Sequence, residues 1–390
     1  MELKGNLLIV HGGGPTAVIN SSLYGVLKAA TPHKGQYKLL AARNGTGGLL
    51  KEDFVDLSHL SSEELELLPQ SPGSAIGTSR DPLDKADYAA MVDIFEKHQI
   101  HYVLFNGGNG TMDACGKLHQ TIQARGLDIQ VMGIPKTMDN DLSVTDHSPG
   151  FGSAARYVAQ STKEVVCDVK GLPIHVVVIE ASGRNAGWLT AASALADTES
   201  GEFAPDLIYF PEVAFSEEKF LSDIKAALKE KTGLVVVVSE GLRDKEGQPI
   251  VSPIMTQGRA TYFGDVSTHL ATLIIKELGY KARGEKPGLL GRASIALNSS
   301  VDVEEAKLVG RVAVESVLAG VSGKMVGLKR RDTADYAVET ILIDIEAVML
   351  TEKTLPKEFI NDTQNGVTQA FIDWCRPLIG EATSQMISFL

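Results

Sequence analysis

The sequence predicts an α/β protein in which parallel strands alternate with helices. Two observations predict this fold class. Short apolar runs are followed by loops rich in glycine or in acidic residues, and these loops lead into segments with helical periodicity. The unit recurs along the chain, and parallel strands place their carboxyl ends along one edge of a sheet. We therefore expect a doubly wound, mostly parallel sheet whose loops share one crevice.

Length and composition limit the possible classes of protein. The chain has 390 residues and a mass of 41.7 kDa, which suggests two or three domains, and we take two as the working number. The formal net charge is −12 and no long Lys/Arg run occurs, which argues against nucleic acid or an anionic membrane as a partner. No charged and apolar leader precedes the first strand and no apolar run reaches membrane-spanning length. We therefore expect a cytoplasmic protein.

The first unit is an apolar strand at residues 7–10, a loop containing Gly13, and a helix at residues 17–30. Backbone N–H groups in such a loop can hold phosphate, although a tight turn needs no ligand. A strand follows at residues 37–42, with a glycine loop at 43–48. The loop at residues 71–80 ends in Arg80, which suits phosphate binding, although Arg80 taken singly is better interpreted as a solvated surface arginine.

The next unit repeats the arrangement. A helix at residues 84–97 leads to a strand at 101–105, and a loop containing Asn109, Gly110 and Thr111 opens a helix at 112–125. The buried strand at residues 129–134 then ends in the segment on which the functional prediction rests.

That segment is Pro135-Lys136-Thr137-Met138-Asp139-Asn140-Asp141. It brings an ammonium, a hydroxyl and two carboxylates to a strand end, which is the set of groups needed to deprotonate an alcohol beside a polyphosphate. Asp139 would be the base, and Lys136 would balance phosphate charge. An Asx-rich turn without function is the competing interpretation, because Asp and Asn readily bond their own backbone.

A second lobe is expected after a helix at residues 149–167. Its strands are predicted at 174–180, 206–210 and 234–238, its helices at 188–196, 217–230 and 256–278, and a further helix, strand and helix at 303–319, 338–343 and 366–378. The loop Ser182-Gly183-Arg184 and the residue Glu240 follow two of these strands. Arg292 ends a further loop, at residues 286–292, as another candidate phosphate cation.

These motifs resemble the phosphofructokinase family over residues 7–319. The resemblance implies two Rossmann-like three-layer lobes with mostly parallel sheets and an active site in the cleft. It also implies a Mg²⁺ requirement, fructose 6-phosphate with pyrophosphate or ATP as substrates, and a homodimer or homotetramer. The donor would bind residues 1–150 plus about 300–350, and the sugar phosphate residues 151–299 plus the C-terminal segment.

The resemblance also implies a role for each motif residue. Asp139 is the base, Asp141 its supporting acid, and Lys136 and Arg184 stabilise the transition state. The sugar phosphate contacts Thr137, Asp139, Ser182, Gly183, Arg184, Glu240 and Arg292. The donor contacts Gly13, Arg80, Asn109, Gly110 and Thr111, and Asn109 lies where a Mg²⁺ ligand is expected.

The sequence departs from the family pattern at four positions. Asn109 replaces a carboxylate, so that the metal would depend on Asp141 and donor oxygens, and Ser182 replaces a methionine. His175 stands where many members place an arginine from the neighbouring subunit, and Gly291 stands where glutamine is usual. These departures leave the identity of the acceptor sugar phosphate undetermined, and sedoheptulose 7-phosphate is an alternative to fructose 6-phosphate.

The donor also stays open. Glycine at the Gly110 position leaves room for a nucleotide, whereas lysine at the Lys136 position is typical of pyrophosphate users. The surrounding motifs favour the bacterial pyrophosphate-dependent branch, with ATP as the alternative. A non-catalytic sugar-phosphate-binding module is disfavoured because both Asp139 and Asp141 are present.

Overall fold

The computed structural model describes residues 5–33, 35–172, 176–257 and 260–390. Within these residues the strands are β1 Asn6–His11, β2 Leu39–Ala42, β3 Phe54–Asp56, β4 Ile100–Gly107, β5 Gln130–Pro135, β6 Val176–Ala181, β7 Leu207–Tyr209, β8 Leu234–Ser239, β9 Pro253–Gln257, β10 Ala260–Phe263, β11 Ala282–Glu285, β12 Lys324–Arg330 and β13 Val338–Asp344. The predicted strand at residues 174–180 corresponds to β6, and its first two residues, Ile174 and His175, lie outside the described ranges.

The α-helices are α1 Ile19–Ala30, α2 Gly45–Leu50, α3 Ser62–Leu67, α4 Lys85–Lys97, α5 Asn109–Ala124, α6 Phe151–Gly171, α7 Trp188–Ala192, α8 Glu217–Ala227, α9 Val266–Leu278, α10 Leu290–Ala293, α11 Ser300–Leu318 and α12 Gln369–Cys375. Short 3₁₀ helices occur at Thr31–His33, Leu68–Gln70, Ser193–Ala196, Ile345–Ala347, Lys357–Phe359 and Arg376–Ile379. Among the described residues, no helix combines the length and the apolar character that crossing a membrane would require.

The chain divides into two compact units. Unit 1 comprises Met1–Ser153 and Arg292–Lys353, and unit 2 comprises Ala154–Gly291 and Thr354–Leu390. The sheet of unit 1 has the strand order β13-β12-β5-β4-β1-β2-β3. Its interior pairs are parallel, and only the edge strands β3 and β13 pair antiparallel with their neighbours. The prediction of an α/β fold with a mostly parallel sheet is confirmed.

Alternate residues of the unit 1 strands face opposite helical layers. Leu8 and Val10 of β1 pack in one core with α4 and α5. Leu7 and Ile9 pack in the other core with α1 and α11. A strand buried on both faces has to be apolar throughout, which is why β1 is a continuous apolar run rather than an alternating one. Unit 1 is therefore a three-layer α/β unit.

The register of the central strands aligns the predicted site loops. His11 at the end of β1 pairs with Asn106 in β4, and Gly107 at the end of β4 pairs with Pro135 at the end of β5. The loops that follow β1, β4 and β5 consequently begin side by side at the carboxyl edge of the sheet. This edge is where open α/β sheets bind ligands.

Unit 2 contains a parallel sheet of strand order β11-β6-β8-β7. One face of this sheet packs on α8 and α9 through an apolar core. Ala181 at the end of β6 pairs with Ser239 at the end of β8. The loops that begin at Ser182 and Glu240 therefore leave the sheet next to each other.

The predicted helix at residues 256–278 is wrong in its first third. Residues 253–257 and 260–263 form the antiparallel strands of the hairpin β9–β10, and α9 begins only at Val266. The segment contains Thr261, Tyr262 and Phe263, whose β-branched and aromatic side chains favour strands, and Gly264 separates it from the helix. Its apolar residues fit both periods, so that spacing alone did not distinguish strand from helix.

Besides β9 and β10, three further strands had not been predicted from the sequence. β3 has only three residues, and β11, Ala-Arg-Gly-Glu, contains no apolar run. β12 lies between β5 and β13 with its Met-Val-Gly-Leu centre buried, but Lys324, Lys329 and Arg330 at its ends mask the apolar signal. At the start of α3, Ser61 and Glu64 form a capping box.

Candidate active site

The glycine loop after β1 is held by two neighbouring segments. Gly12 N–H donates to the Asn106 carbonyl at 2.9 Å, and Gly13 N–H donates to the Ser79 carbonyl at 2.9 Å. The Thr78 hydroxyl donates to the Gly13 carbonyl at 2.7 Å. Gly13 has φ +76°, a conformation that other residues rarely adopt. The loop that ends in Arg80 is thus fastened directly to the glycine loop.

Lys136 places its ammonium against this glycine loop. Nζ donates to the Gly14 carbonyl, and a methyl group placed on Gly13 would lie 3.6 Å from Nζ. The residue is only 3 % exposed. Burial lowers the pKa of Lys136 to about 8, with Asp139 opposing and Arg80 assisting the shift. Such a desolvated cation interacts strongly with any anion brought to the loop.

Two guanidinium groups approach the same loop. A methyl group placed on Gly14 would lie 2.6 Å from Nη1 of Arg292 and 3.3 Å from Nη2 of Arg80. Burial and the neighbouring Arg80 lower the pKa of Arg292, and Asp139 opposes this shift. Arg292 belongs to unit 1, whereas the sequence prediction placed it in the sugar-binding segment 151–299. The local motif carried no information about which unit the loop would join.

The loop after β5 is organised around Thr137. The Thr137 hydroxyl donates to Asp141 Oδ1 at 2.8 Å and accepts from the Asp139 N–H at 3.1 Å. The Thr137 N–H donates to the Pro149 carbonyl at 3.1 Å. Thr137 is buried and Asp139 is half-buried, and the hydrogen bond from its N–H fixes the Asp139 backbone. These bonds set the spacing of the two carboxylates.

Asn109 contacts the same loop from the first turn of α5. Its Nδ2 donates to Asp141 Oδ2 at 2.9 Å, which fixes the orientation of the amide. Its Oδ1 is buried and accepts no hydrogen bond in the described structure. An amide oxygen of this kind is a hard ligand, so Asn109 fits a Mg²⁺ ion. Among the described residues, no group of three or more His, Cys, Asp and Glu side chains forms a metal site.

Gly110 and Thr111 occupy different surroundings. Gly110 is exposed, and a methyl group placed on it would meet nothing within 4 Å. Thr111 is buried, with its side chain against Gly12 and Gly107, so that these two glycines leave no room for a Cβ. Both residues lie in the first turn of α5, which begins at Asn109 rather than at Met112 as predicted. The helix begins earlier because Gly108, in an extended conformation, serves as the N-cap.

In unit 2, the loops after β6 and β8 are hydrogen-bonded to each other. Gly183, with φ +118°, donates its N–H to Glu240 Oε1 at 3.1 Å. The Ser239 hydroxyl donates to the Gly183 carbonyl at 2.8 Å. A methyl group on Gly241 would lie 1.7 Å from the Arg184 carbonyl oxygen, so only glycine fits there. The Arg184 and Glu240 backbones are therefore fixed relative to each other.

The Arg184 side chain extends toward the hairpin β9–β10. The guanidinium lies over the Phe263 ring, with 5.3 Å between the Arg184 Cζ and the ring centroid. Arg184 is nevertheless exposed, so that its donors remain available. Stacking on an aromatic ring restricts a long side chain without consuming its hydrogen-bond donors.

The predicted site residues thus form two groups. The unit 1 group comprises Gly13, Arg80, Asn109, Gly110, Thr111, Lys136, Thr137, Asp139, Asp141 and Arg292, and the unit 2 group comprises Ser182, Gly183, Arg184 and Glu240. His175, one of the four departures from the family pattern, lies outside the described residues.

His11, for which the sequence suggested no role, directly precedes Gly12 and contacts the loop at residues 71–80. His11 is fully buried, and its Nδ1 lies 2.8 Å from the Ser74 hydroxyl, which itself donates to the Gly77 carbonyl. Nδ1 must therefore carry the proton. Burial, assisted by Lys136, lowers the pKa of His11 to about 3, so the ring stays neutral. Its position next to Gly12 was the only available sequence signal.

Comparison with known proteins gives consistent matches. The sequence model of the family described as phosphofructokinase matches residues 6–317. A protein of Xanthomonas campestris pv. campestris named pyrophosphate--fructose 6-phosphate 1-phosphotransferase is 37 % identical over 394 residues, covering 97 % of this chain and 93 % of the relative. A sulfofructose kinase of Alkalicoccus urumqiensis is 34 % identical over 374 residues, covering 95 % of this chain and 94 % of that protein.

The fold is also found among solved structures. The crystal structure of a pyrophosphate-dependent phosphofructokinase from Nitrosospira multiformis aligns with a TM-score of 0.89 and 33 % identity, covering 99 % of this chain and 94 % of that chain. The match of the family model spans most of the chain, and the named relatives are aligned nearly end to end. The chain belongs to the phosphofructokinase family.

Proposed function

We propose that this protein transfers a phosphoryl group from pyrophosphate to the C1 hydroxyl of fructose 6-phosphate, giving fructose 1,6-bisphosphate and orthophosphate. The observation that carries the proposal is the convergence of Lys136, Arg80 and Arg292 on the Gly13–Gly14 loop. Three cations around one glycine loop form a site for a polyphosphate. The name of the Xanthomonas relative supports the choice of reaction.

Asp139 is the proposed catalytic base. It takes the proton of the C1 hydroxyl as that oxygen attacks the terminal phosphorus, and the bond from phosphorus to the bridging oxygen breaks. Asp141 supports the base indirectly, because its carboxylate accepts the Thr137 hydroxyl that also holds the Asp139 N–H. The proton thus ends on Asp139, and orthophosphate leaves.

The cations serve the phosphoryl group. Lys136, buried beside Gly13 and Gly14, offsets negative charge that moves onto the transferred group and the leaving group. Arg80 and Arg292 hold donor oxygens at the same loop. Because Lys136 is buried and bonded to the loop before the reaction, it needs little reorganisation in the transition state.

Asn109 is the proposed residue that would hold Mg²⁺, through its buried Oδ1. When bound, Mg²⁺ would neutralise donor charge and orient the phosphates. Asp141 holds the Asn109 amide in place. The chain's own contribution is therefore a positioned oxygen rather than a cluster of carboxylates.

Pyrophosphate is the proposed donor because the Lys136 ammonium contacts the Gly13–Gly14 loop, and lysine at this position is typical of pyrophosphate users. The open space at Gly110 is compatible with a nucleotide and favours ATP as the second candidate.

For the acceptor, we assign Arg184, Ser182, Gly183 and Glu240 of unit 2 to the sugar phosphate, together with Thr137. Because one relative is named sulfofructose kinase, a sugar with a C6 sulfonate is a further candidate acceptor, in addition to sedoheptulose 7-phosphate.

The acceptor is tested with purified protein, pyrophosphate and Mg²⁺. Fructose 6-phosphate, sedoheptulose 7-phosphate and 6-deoxy-6-sulfofructose are supplied singly, and the new phosphate ester and orthophosphate are followed by ³¹P NMR. We expect the highest kcat/KM for fructose 6-phosphate and equal amounts of both products. A preference for either other sugar would contradict the assigned acceptor. We also propose that the protein is cytoplasmic and that it forms a homodimer or a homotetramer. Sedimentation velocity of the purified protein tests the oligomeric state.

A further inference from the structure

The last residue of unit 1, Lys353, contacts the loop that carries the two carboxylates. It lies beyond residue 317, where the family match ends. The Lys353 N–H donates to the Asp141 carbonyl at 2.8 Å. Next to it, Glu352 forms an antiparallel bridge with Leu142. The chain thus returns to the catalytic loop more than 200 residues after leaving it.

The Lys353 ammonium contacts the same loop at three positions. Nζ donates to the Asp146 carbonyl at 2.8 Å and to the Thr145 carbonyl at 3.0 Å. It also lies 3.4 Å from Asn140 Oδ1. Asn140 Oδ1 in turn accepts the Ser148 N–H at 3.1 Å. One side chain therefore connects the start of the loop, next to Asp139, with its far half.

The loop adopts backbone conformations that need such support. Asn140 has φ +53° and Val144 has φ +70°. A β-branched residue rarely adopts a left-handed conformation, and such a residue persists only where its surroundings impose the conformation. Both residues lie inside the segment that the Lys353 ammonium spans.

We propose that Lys353 is a positioning residue for phosphoryl transfer, whose ammonium fixes the 140–146 loop so that Asp139 and Asp141 keep their orientation. This inference rests on the proposed function of those carboxylates. Removing a lysine that merely stabilised the fold would lower the amount of folded protein. Removing a positioning lysine lowers kcat in protein that remains folded and still binds the donor.

The test compares three full-length variants. Lys353→Met keeps the length of the side chain but removes every side-chain donor, and Lys353→Arg keeps the charge and donors. Lys38→Met is the control, at an exposed lysine directly before β2. Hydrogen exchange of peptides covering residues 139–148 is measured by mass spectrometry. Steady-state kinetics with pyrophosphate and fructose 6-phosphate are measured on the same preparations.

For Lys353→Met we expect faster exchange in residues 139–148, unchanged exchange in β6 and β8, and a kcat lower by about 100-fold, since a small misplacement of a catalytic group costs about this much. The KM for pyrophosphate should stay within about threefold, and Lys353→Arg should recover kcat to within about tenfold of wild type. Lys38→Met should match wild type in both measurements.

Unchanged exchange in residues 139–148 of Lys353→Met would overturn the inference. So would an unchanged kcat, or a loss of activity that only follows the unfolded fraction and that arginine does not restore. If the wild-type protein transfers no phosphoryl group, the proposed function fails. The exchange comparison still decides whether Lys353 holds the loop.

Discussion

Arg80 and Arg292 approach one glycine, Gly14, from segments more than 200 residues apart in the sequence. A methyl group on Gly14 would lie within 3.3 Å of an Nη atom of each. Two like charges so close together raise the free energy of the folded protein unless an anion lies near both, and the lowered pKa of Arg292 reflects burial and this repulsion. A polyphosphate bound at this loop, as we propose, would offset this repulsion.

This arrangement predicts that Arg292 acts on the donor. Arg292→Met should raise the KM for pyrophosphate by about 10- to 100-fold, the range expected for losing a charge-assisted hydrogen bond. The KM for fructose 6-phosphate should change much less. Steady-state kinetics with each substrate varied in turn measure both constants, and the exposed Arg283→Met is the matched control. If only the KM for the sugar rises, Arg292 binds the sugar 6-phosphate, as the family resemblance implied.

Lys136 should set an alkaline limit on activity. Burial lowers its pKa to about 8, and only the protonated form carries charge, so kcat/KM for pyrophosphate should fall as pH rises above about 8. Lys136→Arg keeps its charge at this pH. Its profile should therefore lose the limb near pH 8 even if the absolute rate is lower. An unchanged limb in Lys136→Arg would assign the ionisation to another group.

Replacing Asp139 should separate chemistry from binding. Asp139→Asn keeps the size of the side chain but removes the base, and kcat should fall by about 10²- to 10⁴-fold. Pyrophosphate affinity, measured by calorimetry, and the unfolding temperature should stay close to the wild-type values. An Asp139→Asn variant that keeps most of its kcat would eliminate Asp139 as the base.

Gly241 should be irreplaceable in unit 2. A Cβ there would lie 1.7 Å from the Arg184 carbonyl oxygen, so Gly241→Ala must displace the Arg184 loop. We expect a loss of stability of about 1 to 3 kcal/mol and a lower kcat. Gly171→Ala, whose methyl group would meet nothing within 4 Å, is the control for thermal unfolding and kinetics. Equal behaviour of the two variants would show that the Arg184 loop tolerates displacement.

The sequence was sufficient to locate the site loops because each follows its strand directly. Apolar runs identified β1, β4 and β5, and parallel pairing aligns their ends, so that Gly13, Asn109 and Lys136 were expected near one another. The local motif required no knowledge of distant contacts.

The contacts that support the site could not be predicted in the same way. Lys353 reaches Asp146 across 207 residues, and His11 reaches Ser74 across 63 residues. Both contacts depend on how separate segments pack. The hairpin β9–β10 was missed for a different reason, because its apolar residues fit both the helical and the strand period.

The most direct test of the account is the choice of donor. Purified protein, fructose 6-phosphate and Mg²⁺ are supplied with pyrophosphate or ATP, and kcat/KM is measured for each donor in the wild type and in Lys136→Met. The account predicts a clear preference for pyrophosphate in the wild type, which Lys136→Met reduces by lowering the pyrophosphate value. A preference for ATP in the wild type would contradict it, and would mean that the open space at Gly110 decides the donor.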